Sequence, residues 1–150
     1  MTTNEVLTKQ NFLSKLLLKN EHAELSRDLK VKVMAMRIEY GKVRKQFDAD
    51  IQEFVKDLAP ARFTELQQKV DRTEEENKEL QTLTDKINSD YAAYVTERSK
   101  EEVTVSDRHF TEDDFAEIIE VNADNDVEIN NVKLNAGDFL EIFHTLFLED

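Results

Sequence analysis

The stretch LKVKVMAMRIEYGKVRKQFDADIQEFVKDL, residues 29–58, decides the fold. Its apolar residues recur three and four apart: Leu29, Val33, Met36, Tyr40, Val43, Phe47, Ile51, Phe54 and Leu58. That spacing follows the turn of an α-helix, so it predicts one long amphipathic helix with a single apolar seam. Roughly thirty residues at about 1.5 Å each make a rod of about 45 Å. The step from Phe47 to Ile51 is four where three is due, a phase slip that eases any supercoil. Gly41 sits inside this helix at a cost of about 1 kcal/mol relative to alanine. Its simplest use is the close approach of a neighbouring helix, and a hinge is the other.

Pro60 ends the rod, because it disfavours helical geometry at Ala59 and removes a donor. Thr64 and Gln67 have the spacing of a capping box, which restarts a helix after a turn at 59–63. A second seam follows with Phe63, Leu66, Val70, Leu80, Leu83, Ile87, Tyr91 and Tyr94, and the helix carrying it runs to about Ser99. Two seams about one short turn predict a long antiparallel, coiled-coil-like helical hairpin over residues 25–100. Between Asp71 and Lys78 the returning arm is nearly all polar, so it is exposed there or loosely packed. On the other side Ser26 caps the first arm, after a weak interruption at Asn20–Glu24. Residues 1–24 then form an N-terminal helix capped at Thr8 and bearing Phe12, Leu13, Leu16 and Leu17.

Beyond Arg98 the pattern changes. Val103-Thr104-Val105 alternates like a short strand. Thr111-Glu112-Asp113-Asp114 is a capped, acidic helix start leading to Phe115, Ile118 and Ile119. Val127–Leu134 reads as two short strands around Asn130-Asn131, since asparagine tolerates the left-handed geometry of a tight hairpin. Asn135 caps a last helix with Phe139, Leu140, Ile142, Phe143, Leu146, Phe147 and Leu148. The expected fold is therefore mainly α, with a small acidic α+β C-terminal head over residues 101–150.

Composition narrows the function. With two glycines and one proline among 150 residues, little material is left for loops. There is no cysteine, which excludes disulfides, thiolate nucleophiles and cysteine metal sites. The apolar runs, Leu16-Leu17-Leu18 among them, are all too short to cross a membrane. The first residues lack the basic and then apolar pattern of an export signal, so a cytoplasmic protein is expected. The net charge of −13 is polarised. Residues 1–62 hold 12 basic against 9 acidic residues, and residues 63–150 hold 8 against 24. Such an acidic half repels nucleic acid and membranes.

No constellation points to catalysis. Asp124-Asn125-Asp126-Val127-Glu128 has calcium-loop oxygens at alternate positions, but Ile129 stands where glycine is needed and Asn135 where a bidentate glutamate is needed. His22, His109 and His144 are isolated, and neither a glycine-rich loop nor a nucleophile elbow is present. An enzyme is not expected, and neither a metal nor a cofactor.

Two features point to contacts instead. From Arg27 to Lys45 seven basic residues face two acidic ones, and Lys30, Arg37 and Arg44 fall seven apart in a stripe beside the seam. Such a stripe suits phosphates, a solvated face or the acidic sequence of this same protein, and the acidic half favours the last. The final helix is the stronger signal, with Phe139, Phe143, Leu146 and Phe147 as the core of the head, a docking face, or both.

The order of elements is similar to that of small uncharacterised phage-encoded proteins found among virion-structural genes. The corresponding pieces are the leucine-rich Phe12–Leu18, the basic amphipathic Leu29–Phe47, the valine-containing Val103–Val105, and Val132–Leu148. The resemblance implies a phage virion or virion-assembly component in the host cytoplasm or the particle, and it carries no catalytic residues. The leading expectation is thus a non-enzymatic structural or adaptor protein that meets itself or virion proteins through helices. A second reading is an acidic mimic of nucleic acid that inhibits a host DNA-binding protein, through Glu112, Asp113, Asp114, Glu117, Glu120, Asp124, Asp126 and Glu128. A third is nucleic-acid binding through Arg27–Lys45.

Overall fold

The computed structural model describes residues 1–149. Six helices and one two-stranded sheet follow in order: α1 (Thr3–Lys15), α2 (Arg27–Lys56), α3 (Ala61–Gln68), α4 (Glu74–Ser99), α5 (Glu112–Asn122), β1 (Val127–Ile129), β2 (Val132–Leu134) and α6 (Ala136–Phe147). The fold is mainly α with a small α+β head, as the periodicity requires. None of the described helices is long and apolar enough to cross a membrane.

Three of the six helix starts sit where the sequence puts them. Ser26 accepts from the Leu29 amide, Asn135 from the Asp138 amide, and Thr111 forms a capping box with Asp114. Asn130 and Asn131 both take positive φ, 52° and 66°, so the β1–β2 turn has the left-handed pair that matches strand twist. The strands pair antiparallel as Val127 with Leu134, Glu128 with Lys133 and Ile129 with Val132.

Other starts differ. The first helix is capped by Thr2, in a reciprocal box with Glu5, and Thr8 lies one and a half turns inside it. The helix after Pro60 begins at once at Ala61, since proline pre-sets the dihedral of a helix entrance, and Thr64 is an interior residue. The returning arm is two helices. The chain leaves α3 at Lys69 and re-enters α4 through a capping box of Thr73 and Glu76. Its polar stretch has no apolar face to bury, so nothing holds that turn in a continuous helix. Val103–Val105 is extended without being a strand. Val103 and Val105 turn half-buried toward the core as alternation predicts, but the only ladder contact nearby joins Thr2 and Glu102.

The long hairpin is real, and its register is readable. Arg98 on α4 pairs with Asp50 on α2 at 2.9 Å. One turn further along each helix, Phe54 stacks on Tyr94 with centroids 4.1 Å apart and planes within 5°. Four residues up one arm match four down the other, which is an antiparallel pairing. At the tip, Arg62 holds Glu79 through two nitrogens, and Arg72 donates to the carbonyls of Leu66 and Lys69 that end α3.

The core is one cluster, and it does not respect the divisions 1–24, 25–100 and 101–150. Val6, Phe12, Leu13 and Leu16 of the N-terminal segment pack with Leu29, Val33, Met36 and Tyr40 of α2 and with Phe110, Ile118, Val121, Phe139 and Phe143. Phe12 and Phe139 stack with centroids 5.6 Å apart. The C-terminal fifty residues are too few to enclose α6 alone, so α1 and the first half of α2 complete the head.

Two side-chain amides, one of them buried, fasten the link between α1 and α2. Asn122, fully buried, accepts from the Leu17 amide at 2.8 Å and donates to the Leu17 carbonyl at 3.2 Å. Asn20 donates to the carbonyls of Glu120 and Val121, while its own oxygen receives the amides of His22 and Ala23. The interruption at Asn20–Glu24 is a loop clamped to the end of α5.

Candidate functional site

Helix α2 is the rib on which the molecule is built, and each of its sides has a different use. The inner side carries the predicted seam. Leu29, Val33, Met36 and Tyr40 are buried in the head, while Val43, Phe47, Ile51, Phe54 and Leu58 are half-buried along the arm. The seam therefore closes the protein on itself. In α6 the same holds: Phe139 and Phe143 have no exposed surface, and Leu146 and Phe147 are half-buried against the same cluster. Among the apolar residues of α6 it is Ile142 that stands out, 37% exposed.

The basic stripe occupies the side of α2 that faces α1. Arg37 donates from Nε to the Leu13 carbonyl at 2.8 Å and from Nη2 to the Leu16 carbonyl. Arg44 reaches the Leu7 carbonyl, Gln10 and Asn11. Lys30 pairs with Glu24. Leu13 and Leu16 end α1, where carbonyls lack helical partners and the dipole is negative, so arginine is well placed there. Burial pushes the Arg37 guanidinium below its ordinary pKa. Arg37 thus serves the α1 terminus, Arg44 the middle of α1 and Lys30 the loop at Glu24, so within this fold the stripe meets the N-terminal segment rather than the acidic C-terminal half.

The opposite flank faces the segment 103–114. Lys32 donates to the His109 carbonyl at 2.8 Å and to Asp114 at 2.6 Å. Glu39 receives the Ser106 amide and hydroxyl and pairs with Arg108 at 3.2 Å. Burial opposes ionisation of Glu39, but the Ser106 bonds, with help from Arg108, hold its carboxyl below the usual range.

The outer side of α2 is apolar and has no covering element. Val31 is 60% exposed, Met34 44% and Ile38 59%. They lie three and four apart, on one line along the helix. Gly41 continues that line, and a Cβ built on it meets nothing within 4 Å, so the close helix approach expected there does not occur within the chain. Arg27, Lys42 and Lys45 stand along the same face, exposed, and have no ion-pair partner among the described residues. This second line was readable in the sequence: Val31, Met34 and Ile38 repeat at helical spacing beside the seam, where the longer series hides them.

The remaining sequence candidates have ordinary uses. Asp126 accepts from the Ala136 amide at 2.9 Å and closes the base of the β-hairpin. His144 lies on the edge of Phe115 between Glu112 at 3.3 Å and Glu149 at 3.4 Å. Known protein families, curated proteins and solved structures give no match to this chain.

Proposed function

We propose that this is a non-enzymatic connector, a structural or adaptor protein that associates through the outer face of α2. The observation that carries the reading is the line Val31, Met34 and Ile38, exposed on a rigid rib whose other three sides are occupied. Three such residues in a row on one helix form a contiguous apolar patch, the usual mark of a protein contact. The exposed cations along it, Arg27, Lys42 and Lys45, disfavour pairing with an identical face and favour an acidic one.

A second copy supplies such a face in α5. Its outer side carries Glu112, Asp113 and Glu120 around Ile119, which is 43% exposed. Docking α2 of one copy on α5 of another matches charge to charge and apolar line to apolar residue. The similarity in element order to phage virion-associated proteins supports a place in a virion or its assembly, where repeated copies of one connector are the rule.

Sedimentation and small-angle scattering test this. The expected result is a self-associating, elongated particle that Ile38→Glu reduces to monomers while the circular dichroism spectrum is unchanged. A compact monomer at every concentration overturns the reading.

A further inference from the structure

Helix α1 has its own seam, Val6, Lys9, Leu13 and Leu16, with three buried aliphatic residues and one lysine at the spacing of a core position. A lysine on that face loses hydration, and the Lys9 ammonium is lowered from its ordinary pKa, chiefly by burial, with Glu5 opposing weakly. No carboxylate lies within ion-pair distance of it among the described residues. The nearest distinctive neighbour is the Phe147 ring, 5.5 Å from Nζ to the centroid. A cation placed on a core face without an anion is a feature that stability alone does not select.

Across from it stands Tyr40, 3% exposed. Its hydroxyl makes no hydrogen bond to any described residue, yet no polar side-chain atom of the described interior is both sealed and unpaired. The hydroxyl therefore opens onto space, and the space is a pocket of about 360 Å³ that Lys9 and Tyr40 both line. Met36 and Phe147 supply apolar wall, and the extended strap Val103–His109 passes over it. That volume is in the range of small-molecule sites. Of the other charged groups lining the pocket, the Met1 ammonium is held by Glu102 and Arg108 by Glu39, while the Asp107 side chain is largely exposed beside His109. Lys9 is the cation of that lining with no ion-pair partner among the described residues.

We infer that this pocket binds a small monocarboxylic acid with a short apolar body, its carboxylate taken by the Lys9 ammonium and the Tyr40 hydroxyl. An ammonium and a phenol are both donors, so the group they share must be an acceptor, and the lysine makes it an anion. The apolar part of the lining, Phe147 with Val103 and Val105 of the strap, meets the body of the acid. The site lies on the opposite side of α2 from Val31 and Ile38, so it stands or falls separately from the connector reading.

Calorimetric titration of the full chain with acetate, hexanoate, octanoate and phenylacetate tests the site, with octan-1-ol as the uncharged control. At least one of the longer acids is expected to bind one to one, and octan-1-ol about tenfold more weakly or worse. Lys9→Met keeps the length and removes the charge. It should lower acid affinity by about tenfold or more while raising the unfolding temperature, because a desolvated charge is gone. Tyr40→Phe should weaken the acid several-fold, about what one hydrogen bond contributes. Lys9→Gln serves as a second neutral variant should the methionine perturb folding. Absence of binding by all four acids, octan-1-ol binding as well as octanoate, or unchanged acid affinity in both Lys9 variants overturns the proposal.

Discussion

The head and the stalk use the same apolar periodicity and obtain different things from it. In the head, Leu29, Val33, Met36 and Tyr40 are buried, because α1, α5, α6 and the β-hairpin cover them from several directions. In the stalk, Phe47, Ile51, Phe54 and Leu58 continue the seam, but only one layer of helix lies across from them, and they remain half-exposed. Leu66 is the sole fully buried apolar residue among the described residues of that arm, and α4 buries none. A seam sets direction and register; burial needs a third element. The stalk replaces lost burial with stacking and ion pairs, Phe54 on Tyr94 and Arg98 on Asp50, which hold geometry at little gain in stability.

The largest test of that contrast is a matched pair of aromatic truncations. Phe143 is fully buried and touches the rings of Phe110, Phe115, Phe139 and Phe147. Phe143→Ala should cost about 3–5 kcal/mol in denaturant unfolding, enough to threaten the whole fold. Phe54→Ala removes a half-exposed ring with one stacked partner and should cost about 1–2 kcal/mol. Equal losses would mean that the stalk is as well packed as the head, and the comparison would fail.

A smaller effect, of opposite sign, lies where the two regions meet. Gly41 is helical, and open space lies where an alanine methyl would sit, so Gly41→Ala should stabilise the chain by about 1 kcal/mol, read as a higher denaturant midpoint at unchanged slope. Loss of stability would place a neighbour against that face within the chain.

How much of this could be read from the sequence follows the same division. Where a local chemical signal acts alone, it is legible: Ser26, Thr111 and Asn135 as caps, and Asn130-Asn131 as the left-handed turn. Where two signals compete, the nearer rule misleads. Thr8 and Thr2 are both plausible caps, and Thr2 wins because Glu5 completes the box. Placing the start at Thr8 also removes Lys9 from the seam, which is why its pocket is invisible from the sequence. Thr64 with Gln67 and Thr73 with Glu76 have the same spacing, and Pro60 makes the first superfluous. The roles of Arg37 and Arg44 were not legible, because the carbonyls they serve belong to another helix that only the fold brings beside them. The outer line of α2 was legible in principle, and the longer seam masked it.

The smallest expected effect is at the far tip of the stalk, where ionic contacts replace the core. Glu76 accepts from Lys69 at 2.6 Å and closes the capping box of α4 through the Thr73 amide at 3.1 Å. The Lys69 bond, followed by the Thr73 amide, holds its carboxyl down at about 2, against an ordinary 4.5. A carboxylate depressed in the folded state stabilises above its unfolded pKa, and that contribution is lost as pH falls through the folded value. The tip should therefore be intact at neutral pH and loosen between about 4.5 and about 2. In carbon-detected titration the Glu76 carboxyl should move late, and the Thr73 amide should move with it. Glu76→Gln keeps an acceptor for Thr73 but no charge for Lys69, so the Thr73 amide should lose that late movement. A Glu76 that titrates near 4.5 would show the tip to be held by something other than this pair, and the stalk would then owe less to ionic contacts than the head-to-stalk contrast requires.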